Sequence, residues 1–220
     1  MIPRPSAATL LLIVCSLVAG GVTASQGALA IGTASADGIL AWKPEKFVGE
    51  TRYVLDPDAG RPAVRADSVA SASGLVREID VNLEATPVLS WSWKVGNLLE
   101  GIDETRKGGD DYPARVYVVF SDGRWWDPRP LSLSYVWSST QARGSSWPNA
   151  YTERVVMLAV RDATAPVGAW VEERRNVRED IREHFGKEVG SVKAVAIMTD
   201  TDNSGQRATA WYGDITFVAE

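Results

Sequence analysis

The sequence predicts a mostly β protein: a two-sheet antiparallel β-sandwich of the jelly-roll type with one short helix. Three observations predict this fold. Apolar and polar residues alternate with period two in many short segments, residues typical of turns separate those segments, and only one stretch has the spacing of an amphipathic helix. A chain of this length can bury one core, so a single domain is predicted over residues 39–220.

Residues 1–24 have the pattern of a secretory signal peptide. Arg4 supplies the only positive charge before an apolar run from Leu10 to Val18, which is too short to span a bilayer. Small residues follow this run, and cleavage after Ala24 or after Ala30 fits the pattern. We therefore expect a periplasmic or secreted protein that has no transmembrane span after cleavage.

The single cysteine is expected to be absent from the mature chain. Cys15 lies in the predicted signal peptide, and as Val14 rather than a small residue precedes it, we interpret it as part of the apolar run and not as a lipid anchor. The mature chain then has no disulfide.

The small residues of 25–38 predict a flexible N-terminus. A formal net charge of −5 argues against nucleic acid as a partner, and oligomeric state stays open.

The alternation of apolar and polar residues along each predicted strand indicates which side chains face the core and which face the surface. In residues 87–95, Trp91 and Trp93 fall on one face with other apolar residues and Lys94 falls on the opposite face, so both indoles are predicted to be buried. Residues 114–120 and 131–137 alternate in the same way. The predicted strands cover residues 51–55, 63–69, 74–80, 87–95, 114–120, 131–137, 154–161, 169–174, 192–199 and 208–218.

One helix is predicted over residues 177–185. Asn176 is a suitable N-cap residue, and Glu179 lies three residues later, as in a capping box. Apolar residues then recur every four positions, and Gly186 provides the left-handed stop. We interpret this helix as one surface element packed against the sheets.

The same alternation along the strands predicts a binding face. Lys94, Arg115 and Tyr117 occupy positions opposite apolar strand faces, and Asp110 and Asp111 directly precede the strand that carries the latter two. Polar groups beside aromatic rings are what orient a sugar in a binding site. Two alternatives stay open: the face is simply solvated, or Arg115 and Asp111 form a structural ion pair. The serines predicted to share this face are Ser90, Ser92, Ser132 and Ser134.

Two loops rich in glycine, proline and serine carry indoles. Trp125 and Trp126 lie in one of them, and Trp147 lies in the other. Indoles in such loops can form a flat face against a sugar ring or a partner protein. The alternative is that they cover the open ends of the sandwich. Trp125 and Trp126 are taken as candidate ligand-binding residues.

The segment from Asp200 to Gly205 begins like a calcium loop. Oxygen donors stand at its first, third and fifth positions and glycine at its sixth, but Trp211 stands where an EF-hand has its bidentate glutamate. The segment is therefore predicted to be a hairpin turn. A structural calcium held by Asp200, Asp202 or Asp214 is the alternative, and no other cofactor is indicated.

The sequence argues against nucleophilic and zinc chemistry. The only histidine is His184, near the end of the predicted helix, and no serine lies in a Gly-x-Ser-x-Gly elbow. Carboxylate-based glycan hydrolysis stays open, but it requires two acids at a defined separation across a bound sugar. The available acids are Asp110, Asp111, Glu172, Asp200 and Asp202.

Several blocks together resemble one known family. They are Leu89–Val95, Gly109–Phe120, Arg175–Gly186, Ala196–Asn203 and Tyr212–Phe217. In this order they resemble the bacterial domain-of-unknown-function family 3047, over roughly residues 40–220. That family name implies no activity.

The ending is also similar, more loosely, to galactose-binding-like jelly rolls, which include many carbohydrate-binding modules. In those folds, acids near the first and last strands often hold a structural calcium, and Asp214 matches the acid of the last strand. The preferred hypothesis is an exported module that binds a saccharide or cell-envelope glycan. A carboxylate-based glycan hydrolase or lyase and a structural or adaptor protein of the envelope are the alternatives.

Overall fold

The computed structural model describes residues 28–123 and 129–220. The predicted signal peptide, Trp125 and Trp126 lie outside these residues, so what was expected of them stays a prediction. The described chain forms two β-sheets and one α-helix, which confirms the predicted mostly β sandwich. Within the same residues, no helix has the length and apolar composition needed to cross a membrane.

Each of the ten predicted strands is present, together with three strands that were not predicted. In chain order they are β1 (Leu29–Gly32), β2 (Lys43–Val48), β3 (Arg52–Asp56), β4 (Ala63–Val69), β5 (Ala72–Asn82), β6 (Val88–Val95), β7 (Tyr112–Phe120), β8 (Leu131–Trp137), β9 (Ser146–Asn149), β10 (Thr152–Arg161), β11 (Val171–Asn176), β12 (Ser191–Asp200) and β13 (Arg207–Val218). The strands that were not predicted are β1, β2 and β9. The helix α1 (Val177–Phe185) follows β11, and 3-10 turns occur at Ile39–Ala41 and Lys107–Gly109.

The two sheets divide the strands unevenly. The six-stranded sheet has the order β11-β6-β13-β4-β3, with β1 also paired to β13. The seven-stranded sheet has the order β2-β5-β12-β7-β8-β10-β9. The described pairs are antiparallel with one exception, since β8 and β10 run parallel. In the seven-stranded sheet, β7 therefore lies between β12 and β8.

The beginning of the described chain differs from the expectation of a flexible segment over residues 25–38. Leu29–Gly32 forms β1 and pairs with β13, and Ile31 is fully buried in the core. The small residues around this strand indicated flexibility, but a strand as short as β1 is stabilised by its partner strand rather than by its own composition.

Aromatic side chains from both sheets meet in the core. Trp91 and Trp93 are 2% and 0% exposed, which confirms the predicted burial. Their rings meet edge to face, with 5.4 Å between the centroids. Across the sandwich, Trp91 packs on Tyr135 at 5.3 Å and Trp93 packs on Trp137 at 5.9 Å. The alternation read in β6 therefore identified the core face of the six-stranded sheet.

The ends of α1 match the predicted signals. The Asn176 side chain accepts a hydrogen bond from the backbone N–H of Glu179 at 3.1 Å. Gly186 has a φ of 63°, and its N–H bonds to the carbonyl of Arg182. Ile181 is buried and anchors the helix against the core.

The cap makes a measurable contribution to stability. Replacing Asn176 by alanine removes the acceptor for the Glu179 N–H, so the free energy of unfolding is expected to fall by about 1 kcal/mol. Urea denaturation followed by circular dichroism measures this change. Asn176→Ser is the control, because serine is an equally good cap. A serine variant as unstable as the alanine variant would show that the cap is not the cause.

Candidate functional site

The predicted polar face is split between the two sheets. Lys94 lies on β6 in the six-stranded sheet, while Arg115 and Tyr117 lie on β7 in the seven-stranded sheet. One face shared by all three is therefore not formed. Alternation along a strand indicates which side chains point away from the core, but it does not indicate which sheet the strand joins.

Lys94 is held by its own surroundings on the outer face of the six-stranded sheet. Its ammonium lies 4.2 Å from the ring centroid of Trp211 and 5.4 Å from that of Trp170. It also donates a hydrogen bond to the carbonyl of Ala59 at 3.1 Å. Cation–π contacts of this kind stabilise the local surface, so the structure gives Lys94 a packing role and places it away from Arg115.

A cleft of about 380 Å³ lies on the outer face of the seven-stranded sheet. It brings together five of the residues proposed from sequence: Asp110, Arg115, Tyr117, Asp200 and Asp202. The further lining residues, which the sequence analysis missed, are Phe47, Val48, Ala72, Asn149, Tyr151, Val155, Met198 and Asn203. A larger cavity, of about 570 Å³, lies beside Trp42 and Arg77 and contains none of the predicted site residues.

The register of β7 on β12 explains why the acids converge. These strands are antiparallel, and Tyr112 at the start of β7 pairs with Asp200 at the end of β12, next to an irregularity in the register. The two acids that precede β7 therefore lie beside Asp200 and Asp202. Acids about ninety residues apart in sequence share one end of the cleft.

Asp200 and Arg115 form a buried ion pair at the floor of the cleft. The second carboxylate oxygen of Asp200 accepts the backbone N–H of Tyr112 at 3.3 Å. Burial raises the pKa of Asp200 well above its usual value, and the Arg115 guanidinium opposes this rise. Arg115 therefore forms its ion pair with Asp200, and not with Asp111, which was the alternative drawn from the sequence.

Asp111 holds the turn that follows β12. Its two carboxylate oxygens accept the backbone N–H groups of Asn203 at 3.1 Å and Ser204 at 2.6 Å. The side chain is fully buried. Asp111 therefore fixes the position of residues 201–205 relative to the start of β7.

Asp110 is buried, and only one of its two carboxylate oxygens accepts a hydrogen bond from the described residues. Its Oδ2 accepts a hydrogen bond from the Asn149 side-chain amide at 2.8 Å, whereas its Oδ1 has no partner among residues 28–123 and 129–220. Burial raises the pKa of Asp110, and the charge of Arg115 opposes the rise. The Nε of Arg115 is likewise buried without a partner in this part of the chain.

Tyr117 lines the same cleft as a neutral hydroxyl. Burial raises the pKa of its hydroxyl to about 12, and the charge of Arg115 opposes the rise. The guanidinium carbon of Arg115 lies 5.4 Å from the centroid of the Tyr117 ring. At neutral pH the Tyr117 hydroxyl can therefore both donate and accept a hydrogen bond.

Two exposed aromatic rings lie at the rim. Phe47 of β2 is 66% exposed and Tyr151, which precedes β10, is 56% exposed. The Tyr151 hydroxyl donates to the Asn203 side chain at 2.6 Å, which fixes this ring over the acidic end of the cleft. Sequence gave no signal for Phe47, because β2 is exposed throughout and shows no alternation.

The predicted metal ligands Asp200, Asp202 and Asp214 do not come together. Asp214 lies exposed on β13 in the six-stranded sheet, and its Oδ1 accepts the backbone N–H of Ala34 at 2.8 Å. Asp111 takes its place, since one carboxylate oxygen from each of Asp111, Asp200 and Asp202 lies within 4.8 Å of the others.

Trp147 is buried rather than exposed as a platform. It lies on β9 and packs with Tyr112, Val136 and Met157 in a small apolar cluster separate from the main core. This cluster covers the part of the seven-stranded sheet next to the cleft.

The fold and the cleft together define a β-sandwich protein with an acidic, aromatic-rimmed cleft on the outer face of one sheet. The family model described as "Protein of unknown function (DUF3047)" matches residues 40–216, and the chain belongs to this family. This confirms the resemblance seen in the sequence blocks. No curated protein matches the chain in sequence.

Two solved structures are similar to this chain. A family 30 carbohydrate-binding module of a cellulosomal cellulase from Clostridium thermocellum aligns with a TM-score of 0.50 at 12% identity, over 88% of this chain and 98% of that one. The xyloglucanase domain of NopAA, a type three effector from Sinorhizobium fredii, aligns with a TM-score of 0.45 at 10% identity, over 81% and 93% of the two chains. At such identities, the first of these likenesses establishes the fold alone.

Proposed function

We propose that this protein is an exported module that binds a saccharide in the cleft of the seven-stranded sheet. The observation that carries the proposal is the combination of two exposed rings, Phe47 and Tyr151, with a floor of buried polar side chains. A sugar ring presents apolar C–H groups on its faces and hydroxyls around its edge. An aromatic rim and a polar floor match these two features.

The floor offers groups that a sugar hydroxyl can satisfy. Asp110 Oδ1 is an acceptor and Arg115 Nε is a donor, and both are buried without partners in the described chain. A buried polar group that lacks a hydrogen bond costs about 1–3 kcal/mol. A ligand hydroxyl that enters the floor and bonds to these atoms would recover part of that cost.

Two further observations support the proposal. The fold is the one found in a carbohydrate-binding module, although fold does not by itself define function. The signal-peptide pattern of residues 1–24 predicts a periplasmic or secreted protein, which would meet envelope or extracellular glycans.

Binding is favoured over hydrolysis because two of the acids already make ion pairs or hydrogen bonds within the protein. A glycosidase needs two carboxyl groups free to act across the scissile bond. Asp200 is occupied by Arg115, and both oxygens of Asp111 accept backbone N–H groups. Of the four acids at this end of the cleft, Asp111 and Asp200 thus hold the local structure.

Truncating the rim tests the proposal. A screen of envelope glycans and of plant and algal polysaccharides identifies a ligand, and calorimetry then measures its affinity. Phe47→Ala is expected to weaken binding about three- to tenfold, because an aromatic contact contributes about 0.5–1.5 kcal/mol. The fold should be unaffected, because the side chain is exposed.

Leu55→Ala is the matched control, since Leu55 is an exposed apolar residue on β3 in the other sheet. Its affinity should equal that of the unmodified protein. The proposal fails if no glycan binds, or if folded Phe47→Ala protein binds the ligand as tightly as the Leu55→Ala control.

A further inference from the structure

Four carboxylates converge at the end of the cleft where β7 begins and β12 ends. The charges of Asp110, Asp111 and Asp202 all act on Asp200, and Arg115 is the positive group that acts against them. Burying an unbalanced charge is costly unless a counter-charge is present. This end of the cleft therefore has an excess of negative charge that a bound cation would balance.

The spacing of the acids fits a calcium ion. One oxygen each from Asp111, Asp200 and Asp202 lies within 4.8 Å of the others. Calcium takes oxygen ligands at about 2.3–2.6 Å, so two oxygens on one ion are at most about 5 Å apart. From these positions and this charge, we propose that Asp111, Asp200 and Asp202 form a calcium site.

Asp110 provides a second, independent observation. It is 5% exposed, it lines the same cleft as Asp200 and Asp202, and its Oδ1 has no partner in the described chain. Calcium takes six to eight oxygen ligands, some of them water. Asp110 Oδ1 is not among the oxygens that lie within 4.8 Å of one another, so it is available as the acceptor for a water molecule on the ion.

The neighbouring backbone holds the acids in place without the ion. The turn after β12 is fixed by Asp111, and Thr201 N–H donates to the carbonyl of Ser71 at 2.9 Å. Such a site loses little conformational freedom when it binds an ion.

The donor set selects the kind of ion. All three proposed ligands are carboxylates, which are hard oxygen donors and suit calcium or magnesium better than zinc. Magnesium requires near-ideal octahedral geometry at about 2.0–2.1 Å and usually keeps several waters. Three carboxylates held beside strand ends favour the larger and more tolerant calcium ion.

The experiment uses the purified full-length mature protein, first dialysed against a chelator. Addition of millimolar CaCl₂ is expected to raise the melting temperature by several degrees, because an ion that binds only the folded state stabilises it. Terbium is a luminescent substitute for calcium, and its emission, excited through nearby tyrosines such as Tyr112, gives the affinity directly.

Asp202→Asn is the informative variant, because Arg115 pairs with Asp200 rather than with Asp202. Asp202 Oδ1 accepts a hydrogen bond from the Asn203 side chain at 3.2 Å, which an asparagine oxygen can also accept, so this protein should fold. It is expected to weaken terbium and calcium binding about tenfold or more. Asp214→Asn makes the same charge change on the other sheet and should leave the affinity unchanged.

Three results would overturn the proposal. They are no response of the unmodified protein to calcium, an equal loss of affinity in Asp202→Asn and Asp214→Asn, and an equal response to magnesium and calcium, which would indicate general screening of acids. The test contains no saccharide, so its outcome is independent of glycan binding.

Discussion

Replacing Trp93 by alanine is expected to lower the free energy of unfolding by about 3–5 kcal/mol. The indole is fully buried, and it packs edge to face on Trp91 and against Trp137 of the opposite sheet. Its Nε1 also donates to the Glu173 carboxylate at 3.2 Å. The substitution therefore opens a cavity between the sheets and removes a hydrogen bond from a buried acid.

Urea denaturation followed by circular dichroism measures this loss, since the signal then does not depend on the indole that is removed. Phe47→Ala is the control: it also removes an aromatic ring, but one that is exposed, and its stability should change by less than about 0.5 kcal/mol. An unchanged midpoint for Trp93→Ala would mean that this indole does not lie between the sheets.

The sequence predicted those elements whose cause is local. The alternation in β6 placed Trp91 and Trp93 in the core, and the signals at Asn176 and Gly186 defined the ends of α1. Period-two alternation and helix caps are properties of a few adjacent residues. They are therefore visible before the chain is folded.

Sheet membership was not visible in this way. Lys94 and Arg115 both point away from the core, yet they lie on different sheets because β6 pairs with β13 and β11, whereas β7 pairs with β12 and β8. Strand pairing depends on contacts between distant parts of the chain, which alternation does not encode.

In the candidate site, too, the individual residues could be predicted from local sequence, but their convergence could not. Asp110 and Asp111 were found because they directly precede β7, and Asp200 and Asp202 because they form a recognisable turn. That these two pairs meet follows from the register of β7 on β12, which only the fold reveals. Asp214 was chosen by analogy with another fold, and the pairing of β13 places it in the other sheet.

The second large effect is expected at the buried ion pair. Arg115→Met should lower the free energy of unfolding by about 3–5 kcal/mol, because it leaves the Asp200 carboxylate buried without its counter-charge. Both side chains are almost fully buried, at 4% and 1% exposure of the residue. The guanidinium also lies 4.8 Å from the centroid of the Tyr112 ring, a contact that methionine replaces only in part.

A double variant distinguishes the ion pair from simple packing at the same position. Arg115→Met combined with Asp200→Leu removes both charges and keeps apolar volume, so it should recover much of the stability lost by Arg115→Met alone. Urea denaturation in the presence of a chelator gives each free energy of unfolding without a contribution from bound ions. If the ion pair is structural, Arg115→Met protein that remains folded should lose more stability than glycan affinity. A double variant less stable than Arg115→Met would contradict this, since it would mean that Asp200 stabilises the fold through groups other than Arg115.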